Sequence, residues 1–251
     1  MKLAIKRVLQ AILGLKTYLF LFAWFKIATL HWDRIEGDFM RFLEFVPDRG
    51  HVLDIGANIG IMTVLLARRT RNGTIHAFEP MPVNYTVLER VVARSGLNNV
   101  VTYPWALGET NGAVEMVMPF EGTVALHGLS HVVNEANPGE KGMRAEVPCW
   151  RLDDLAEHFA SGAGITAIKI DVEGFESAVL AGAQQLLARY RPPIYCEIGY
   201  GPQRELLFEM FRALDYSIQI QINGRLSDFD PVTHSHKWNF FLLPNLQGTG
   251  P

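Results

Sequence analysis

The sequence contains few cysteines. Only Cys149 and Cys196 occur among its 251 residues, so no disulfide framework supports the fold and a reducing compartment is the simpler interpretation. A basic excess is also missing, because 23 Lys and Arg stand against 26 Asp and Glu, and this balance excludes a global positive field for nucleic acid. With 49% hydrophobic residues and no internal repeat, the chain predicts one large globular domain with a small-molecule site.

An uninterrupted apolar run long enough to cross a membrane is absent as well. The segment Val8 to Leu30 is nearly all apolar, but Lys16 and Lys26 interrupt it. Two interpretations stay open: a helix on the inner face of a membrane, or a helix that packs on the domain or on a second subunit. We divide the chain into an apolar N-terminal helix, residues 1–31, and a globular domain, residues 32–251, and expect a cytoplasmic protein whose membrane contact is peripheral.

From His51 onward, short β-rich runs alternate with helical patterns. The runs are HVLDIG, TIHAFEP, NVVTYPWAL, ITAIKIDV and PIYCEIG. This alternation predicts an α/β fold with a parallel sheet covered on both faces. The last two apolar runs, Tyr216 to Ile222 and Trp238 to Leu243, have no helix between them and predict an antiparallel pair at one edge. Residues 119–144 lack strong periodicity and are predicted to form an inserted loop over a site.

A segment containing glycines follows the first predicted strand, in the run VLDIGANIG. Gly56 and Gly60 allow a tight turn and a close approach of the backbone to a ligand. The dinucleotide fingerprint is not met, because Ala57 and Asn58 stand where its second glycine would fall. Asp54 would repel a phosphate but could bind a cationic amino group, directly or through water. The segment therefore favours a ligand that carries a cation.

A second acid, Glu79, closes the next predicted strand in the run HAFEP. A carboxylate at that position accepts hydrogen bonds from the two hydroxyls of a ribose. Asp54 and Glu79 together predict binding of S-adenosylmethionine.

Several motifs in a fixed order resemble one protein family. They are VLDIGANIG, FEPMPVNYTVLERVV, ALG, LDDL, IKIDVEGFESAVLAGAQQLL and IYCEIG, which lie between His51 and Gly199. This ordered set resembles the FkbM family of S-adenosylmethionine-dependent methyltransferases. The resemblance implies the class I methyltransferase fold, a Rossmann-like and mostly parallel sheet of seven strands, here with an antiparallel edge hairpin. It also implies O-methylation, typically of sugar or polyketide hydroxyls.

The resemblance assigns cofactor residues one by one. Asp54, Gly56, Asn58 and Gly60 match the loop at the methionine portion, and Glu79 matches the ribose acid. Many class I enzymes place an acid after the third strand, whereas this chain has Trp105 and Ala106 there. We therefore expect adenine to contact the backbone or the ring of Trp105.

Three charged residues interrupt the fourth predicted strand. Lys169 and Asp171 project to the same face, so an ion pair between them is the simplest role for the lysine. Asp171 and Glu173 are candidate catalytic acids, because a hydroxyl must lose its proton when it accepts a methyl group. One carboxylate could take that proton, or two could hold a divalent cation, and no metal ligand is assigned. Glu197, at the end of the fifth strand, should open into the same crevice.

Two histidines, His127 and His131, lie in the predicted inserted loop. His131 stands where the family often has small hydroxyl residues, and we include it among the candidate catalytic residues as a general base.

These observations predict an enzyme that methylates a hydroxyl of a sugar, glycolipid or polyketide-type small molecule. A small-molecule or glycan acceptor is the expected partner, and nucleic acid is not. The alternatives are an NAD(P)-dependent oxidoreductase and a catalytically silent, membrane-attached binding domain. The oligomeric state is not predicted.

Overall fold

The computed structural model describes residues 2–30, 37–133, 139–159 and 161–245. The helices are α1 Lys2–Leu13, α2 Leu15–Thr29, α3 Gly37–Phe42, α4 Ile61–Arg69, α5 Pro82–Arg94, α6 Glu176–Ala181, α7 Gln184–Tyr190 and α8 Pro202–Ala213. The strands are β1 Arg49–Ile55, β2 Asn72–Phe78, β3 Val100–Tyr103, β4 Ala106–Leu107, β5 Gly112–Glu121, β6 Val124–Ala125, β7 His131–Val132, β8 Gly142–Trp150, β9 Ile165–Ile170, β10 Ile194–Glu197, β11 Tyr216–Ile222, β12 Arg225–Asp228 and β13 Asn239–Pro244. Two 3₁₀ segments span His127–Leu129 and Leu152–Phe159.

The main sheet has the strand order β12-β11-β13-β10-β9-β1-β2-β3. Strands β10, β9, β1, β2 and β3 pair in parallel, which confirms the prediction from the alternating pattern. Within the described residues the sheet has eight strands, so the expected count of seven is wrong. The additional strand, β12, pairs antiparallel with β11 across a two-residue turn at Asn223 and Gly224, whose φ angles are 50° and 77°. A type I′ hairpin turn requires such left-handed residues.

The predicted antiparallel pair, β11 with β13, is present but does not form the edge. Strand β13 inserts between β10 and β11, and β12 takes the edge position. Alternate residues of the central strands face opposite layers, as in a sheet covered on both faces. Leu53 and Ile55 of β1 join the core beneath α6, α7 and α8, whereas Val52 faces Phe39 and Phe42 from α3.

A second sheet, with strand order β4-β8-β5-β6 and β7 paired to β5, covers the end of the main sheet. The inserted loop predicted for residues 119–144 is wrong at its two ends, which belong to β5 and β8, and at the short strands β6 and β7. Strands β5 and β8 pair antiparallel from Gly112 opposite Cys149 to Pro119 opposite Gly142. Burial in β8 alternates from Met143 to Trp150, which is the two-residue period of a strand that has one face on a core. Residues 134–138 of the predicted loop lie outside the described residues.

The N-terminal segment forms two helices instead of the single apolar helix expected. The break falls at Gly14, whose φ of 73° is unfavourable for residues with a side chain. Helix α2 buries Leu19, Ala23 and Ile27 against α4 and α5, so the packing interpretation is confirmed for this helix. The boundary predicted between residues 31 and 32 lies outside the described residues. No helix in the described ranges combines the length and hydrophobicity that a membrane crossing requires.

Candidate functional site

The largest concentration of predicted site residues surrounds one crevice at the carboxyl ends of β1, β2 and β9. Its enclosed space, including the open mouth, is about 580 Å³. Ligands of open α/β sheets bind at this edge, because the loops that follow the strands leave a gap there. Predicted residues that line the crevice are Gly56, Asn58, Glu79, Trp105, Ala106, Asp171 and Glu173.

The segment that follows β1 makes a tight turn through left-handed backbone. The φ angles of Gly56, Asn58 and Gly60 are 76°, 51° and 85°. A side chain at Gly56 would collide with the carbonyl oxygen of Asp171, so only glycine lets the ends of β1 and β9 come this close. Gly60 does not line the crevice and instead lets α4 pack closely on Leu88 of α5. Its predicted cofactor contact is therefore indirect.

Glu79 is buried, and its carboxylate borders the crevice. Oε2 accepts a hydrogen bond from Asn58 N over 2.8 Å, and Oε1 accepts one from Met81 N over 2.9 Å. Burial raises the pKa of Glu79 to about 7, against the opposing effect of these N–H donors. The side chain is thus fixed by backbone donors at the place where the sequence predicts a ribose-binding acid.

Asp54 is directed away from the crevice. Its Oδ2 accepts a hydrogen bond from Thr63 Oγ1 over 2.6 Å, and its Oδ1 lies 3.4 Å from Lys169 Nζ. The side chain is fully buried and is not among the lining residues. Because the side chain is fully buried, Asp54 is not positioned for a direct contact with the amino group of a ligand. A contact through water stays a prediction, and in the structure Asp54 holds the lysine.

The predicted ion pair of Lys169 with Asp171 is confirmed, with 3.7 Å between Nζ and Oδ2. Lys169 also donates a hydrogen bond to the carbonyl oxygen of Gly56 over 2.7 Å. Burial would lower the pKa of the lysine, but Asp171 and Asp54 outweigh this effect and raise it. A charged lysine thus joins the ends of β1 and β9 beneath the crevice.

The wall opposite β9 is aromatic and apolar. Tyr103 stacks on Phe78, with 4.7 Å between the ring centroids, and Trp105 lies 4.8 Å from Tyr103. Phe78, Trp105 and Ala106 line the crevice, as expected for an adenine-binding wall without an acid.

Asn84 is a lining residue that the sequence analysis missed. Its Nδ2 lies 3.4 Å from Glu79 Oε1 and 3.2 Å from the carbonyl oxygen of His127. Its Oδ1 is buried and accepts no hydrogen bond from the described residues. Such an oxygen needs a donor, which a ligand hydroxyl or amino group would supply. The residue lies within the helical pattern after Glu79, where an asparagine side chain carries no distinct signal.

Glu173 lies at the mouth of the crevice in a left-handed conformation, with a φ of 52°. Non-glycine residues adopt this conformation at a cost, and such residues concentrate at functional sites. The residue is exposed, yet the surrounding protein still removes part of its hydration, and the carboxylates of Asp171, Glu197 and Glu176 add repulsion. Together these effects raise the pKa of Glu173 to about 8. Glu197 does not line the crevice but is close enough to affect this pKa.

The two candidate histidines occupy different surroundings. His127 lines the crevice, and its Nδ1 lies 3.1 Å from Asn58 Oδ1. Because an amide oxygen only accepts, Nδ1 carries the proton and Nε2 is an acceptor. Burial, and then the charge of Lys6, lowers the pKa of His127 to about 4. His131 does not line the crevice: its Nε2 lies 2.9 Å from a carboxylate oxygen of Glu140. The predicted general base therefore lacks the geometry, and His127 is the histidine at the site.

A second crevice of about 620 Å³ adjoins the first. Gly56, Asn58, His127, Gly128 and Asp171 line both. Lys26 and Leu30, which close α2, also line the second crevice, so the N-terminal segment forms part of its wall. This contact of α2 could not be predicted from the sequence, because helical periodicity does not tell which part of the domain a helix covers.

No group of three or more His, Cys, Asp or Glu side chains in the described residues is arranged to hold a metal ion. A divalent cation held by only two carboxylates, as the sequence left open, stays a prediction.

Comparison with known proteins identifies a family and several similar proteins. Residues 54–229 match the family model described as "Methyltransferase FkbM domain". "Methyltransferase 1" of Beauveria bassiana is 27% identical over 147 residues, which are 54% of this chain and 59% of that protein. "Methyltransferase sdnD" of Sordaria araneosa is 28% identical over 190 residues, which are 65% of this chain and 73% of that protein.

A crystal structure of methyltransferase FkbM from Methylobacillus flagellatus superposes with a TM-score of 0.51 at 17% identity. The match covers 78% of this chain and 44% of that one, and it supports the fold alone. The chain thus spans less than two thirds of the length of the Methylobacillus protein and of the Beauveria protein.

Proposed function

Because the chain belongs to the FkbM family of methyltransferases, we propose that it transfers a methyl group from S-adenosylmethionine to a hydroxyl oxygen of a small molecule. The observation that carries the proposal is the buried carboxylate of Glu79, held at the crevice by the backbone of Asn58 and Met81. No phosphate-binding glycine fingerprint is present, so the family match and the residues agree against the oxidoreductase alternative.

The residues present fit this cofactor. Glu79 would accept the ribose hydroxyls, and Asn84 Oδ1 would gain the donor that it lacks among the described residues. Trp105, as expected from the sequence, would cover the adenine ring, and Phe78 beside it would do the same. The carboxylate of Asp171 favours a cationic sulfonium by charge. When bound, the cofactor supplies an electrophilic methyl group on that sulfonium.

The acidic edge formed by Asp171 and Glu173 is suited to the acceptor. The acceptor oxygen forms a bond to the methyl carbon as the bond from carbon to sulfur breaks, and the hydroxyl proton passes to a base. Glu173 is the base that we propose, because a pKa of about 8 lies near the working pH of most enzymes. Asp171 is fixed by Lys169 and would orient the hydroxyl.

The remaining site residues would act on position and on charge. Glu197 would keep the pKa of Glu173 high, and His127 would hold Asn58 through Nδ1. Fixed geometry is the larger part of catalysis here, since alignment of reacting groups contributes roughly 7–11 kcal/mol.

The acceptor we propose is a sugar, glycolipid or polyketide-type hydroxyl. The second crevice supports a partly apolar molecule, because Leu30, Ile61 and Met62 line it together with Lys26. A cytoplasmic location is part of the proposal, since Cys149 and Cys196 are both buried and free.

The test is a transfer assay with methyl-labelled S-adenosylmethionine on fractionated lipids, glycans and small metabolites. We expect the label in a product that carries an O-methyl ether, and we expect Glu173→Gln to reduce its formation. Label only on nitrogen or carbon would contradict O-methylation. No transfer to any fraction, together with normal cofactor binding, would support the silent binding domain instead.

A further inference from the structure

Helix α1 directs its apolar residues away from the protein. Ile5, Val8, Leu9, Ile12 and Leu13 have the spacing that places side chains on one face of a helix. All five are exposed, with Ile5 at 53% and Ile12 at 75% of full exposure. A surface helix of a globular domain normally buries this face. The amphipathic pattern of α1 is therefore reversed with respect to the domain.

A polar contact fixes the orientation of α1. Gln10 Nε2 donates a hydrogen bond to the carbonyl oxygen of Ala125 over 3.3 Å, and Gln10 Oε1 accepts one from Ala125 N over 3.1 Å. This pair joins α1 to β6 of the second sheet. Because Gln10 faces the protein, rotation of α1 to bury its apolar residues would break both hydrogen bonds.

Helix α2 adds apolar residues on its outer side. Leu21 and Phe25 are one helical turn apart and are exposed, with Phe25 at 63%. The opposite side of α2 packs on α4 and α5. The same helix reaches the second crevice through Lys26 and Leu30. An apolar surface thus extends over two connected helices beside the candidate site.

The charge of this segment differs in sign from the rest of the chain. Residues 1–30 contain five Lys or Arg and no Asp or Glu, whereas residues 31–251 contain 18 Lys or Arg and all 26 acids. Arg7 of α1 and Lys16 of α2 are both exposed. A positive, apolar surface is attracted to an anionic lipid surface. Two copies of this segment would repel each other, which disfavours a contact between the N-terminal segments of two copies of the chain.

We propose that the exposed faces of α1 and α2 dock on an anionic lipid bilayer. The helices lie in the plane of the interface, with Ile5, Ile12 and Phe25 below the headgroups, and the net positive charge of residues 1–30 attracts the anionic lipids. Helix α2 forms one wall of the second crevice. Docking places this wall next to the lipid surface. The inference goes beyond the proposed function and does not depend on it.

The test is co-sedimentation of the full chain with vesicles. One set contains phosphatidylcholine with about 30% phosphatidylglycerol, and the other contains phosphatidylcholine alone. We expect binding to the anionic vesicles, at least about tenfold weaker binding to the neutral ones, and weakening at high salt. Absence of binding to both sets would overturn the proposal. Equal binding to both sets would overturn its anionic part.

Variants distinguish binding through α1 and α2 from nonspecific binding of the protein to vesicles. The double variant Ile5→Asp with Ile12→Asp should lose at least tenfold in vesicle affinity, and Lys16→Gln should lose about fivefold. The matched control is Leu206→Asp, since Leu206 is a leucine on α8 that is 64% exposed. Circular dichroism and thermal unfolding check that each variant is folded.

Loss of binding in the Leu206→Asp control to the same degree would contradict the assignment to α1. Sedimentation velocity tests the alternative that a second copy of the chain contacts this surface. A dimer that the double variant dissociates, with no vesicle binding by the parent chain, would show a contact between copies and overturn the bilayer. Because every readout is binding or assembly, these outcomes are independent of methyl transfer.

Discussion

Asp54 and Glu79 have similar places in the sequence, at the carboxyl ends of neighbouring parallel strands, yet their surroundings differ. Asp54 is enclosed beneath the crevice by Thr63 and Lys169, whereas Glu79 borders the crevice and is held by backbone N–H groups. A carboxylate with a buried cation contributes to structure, and one held by neutral donors next to open space can accept a ligand. We call Asp54, Thr63 and Lys169 the supporting layer, and Glu79 with its backbone donors the binding layer.

The largest effect should follow from removal of the lysine in the supporting layer. Lys169→Met leaves Asp54 buried without its cation, and breaking a buried pair in this way costs about 3–5 kcal/mol. We expect the free energy of unfolding, measured by urea denaturation, to fall by that amount. Adding Asp54→Asn to the same variant should recover part of the loss. Wild-type stability of Lys169→Met would show that Asp54 does not depend on the lysine.

In the binding layer, the raised pKa of Glu79 should make the free energy of unfolding depend on pH. The pKa of Glu79 rises from 4.5 to about 7 on folding, so its contribution to stability is present below pH 4.5 and is lost as the pH rises through 7. Relative to Glu79→Gln, the cofactor-free wild type should lose about 3 kcal/mol between pH 4.5 and 8. Denaturation curves at several pH values measure this difference. Parallel stabilities of the two proteins across that range would refute the raised pKa.

A third acid, Glu173, differs from Asp54 and Glu79 because it lies at the open mouth of the crevice, where it can exchange a proton. If it takes the hydroxyl proton, kcat/KM should rise with pH toward an inflection near 8, because this ratio reports the pKa values of the ligand-free protein. Glu173→Gln should lower kcat about a hundredfold and abolish the inflection, with little change in cofactor affinity. Glu197→Gln should shift the inflection to lower pH, because it removes a neighbouring negative charge. An unchanged profile in Glu173→Gln would assign the base elsewhere.

Local sequence patterns predict much of the fold and the position of Glu79. The β-rich runs, the turn after β1 and the acid that ends β2 are all short-range features, and the structure contains each of them. Strand β12 also had a local signal, the Asn223-Gly224 pair of a tight hairpin, and β8 had the alternating pattern of a half-buried strand. These two were missed although the information was present.

Other features depend on contacts between distant parts of the chain. Asp54 pairs with Lys169 because β1 and β9 are neighbours in register, and no spacing within either strand reveals that pairing. His127 and His131 are four residues apart, but only the hydrogen bond to Asn58 distinguishes the one at the crevice. The reversed face of α1 likewise becomes visible only when its contact with β6 is known.

Calorimetric titration with S-adenosylhomocysteine tests the central claim most directly, which is that Glu79 binds the nucleoside and Asp54 does not. The account predicts that the wild type binds, that Glu79→Ala binds at least about tenfold more weakly while remaining folded, and that folded Asp54→Asn retains most of the affinity. Failure of the wild type to bind would contradict the account. Equal affinity of Glu79→Ala and the wild type, or a loss in Asp54→Asn as large as that in Glu79→Ala, would contradict it as well.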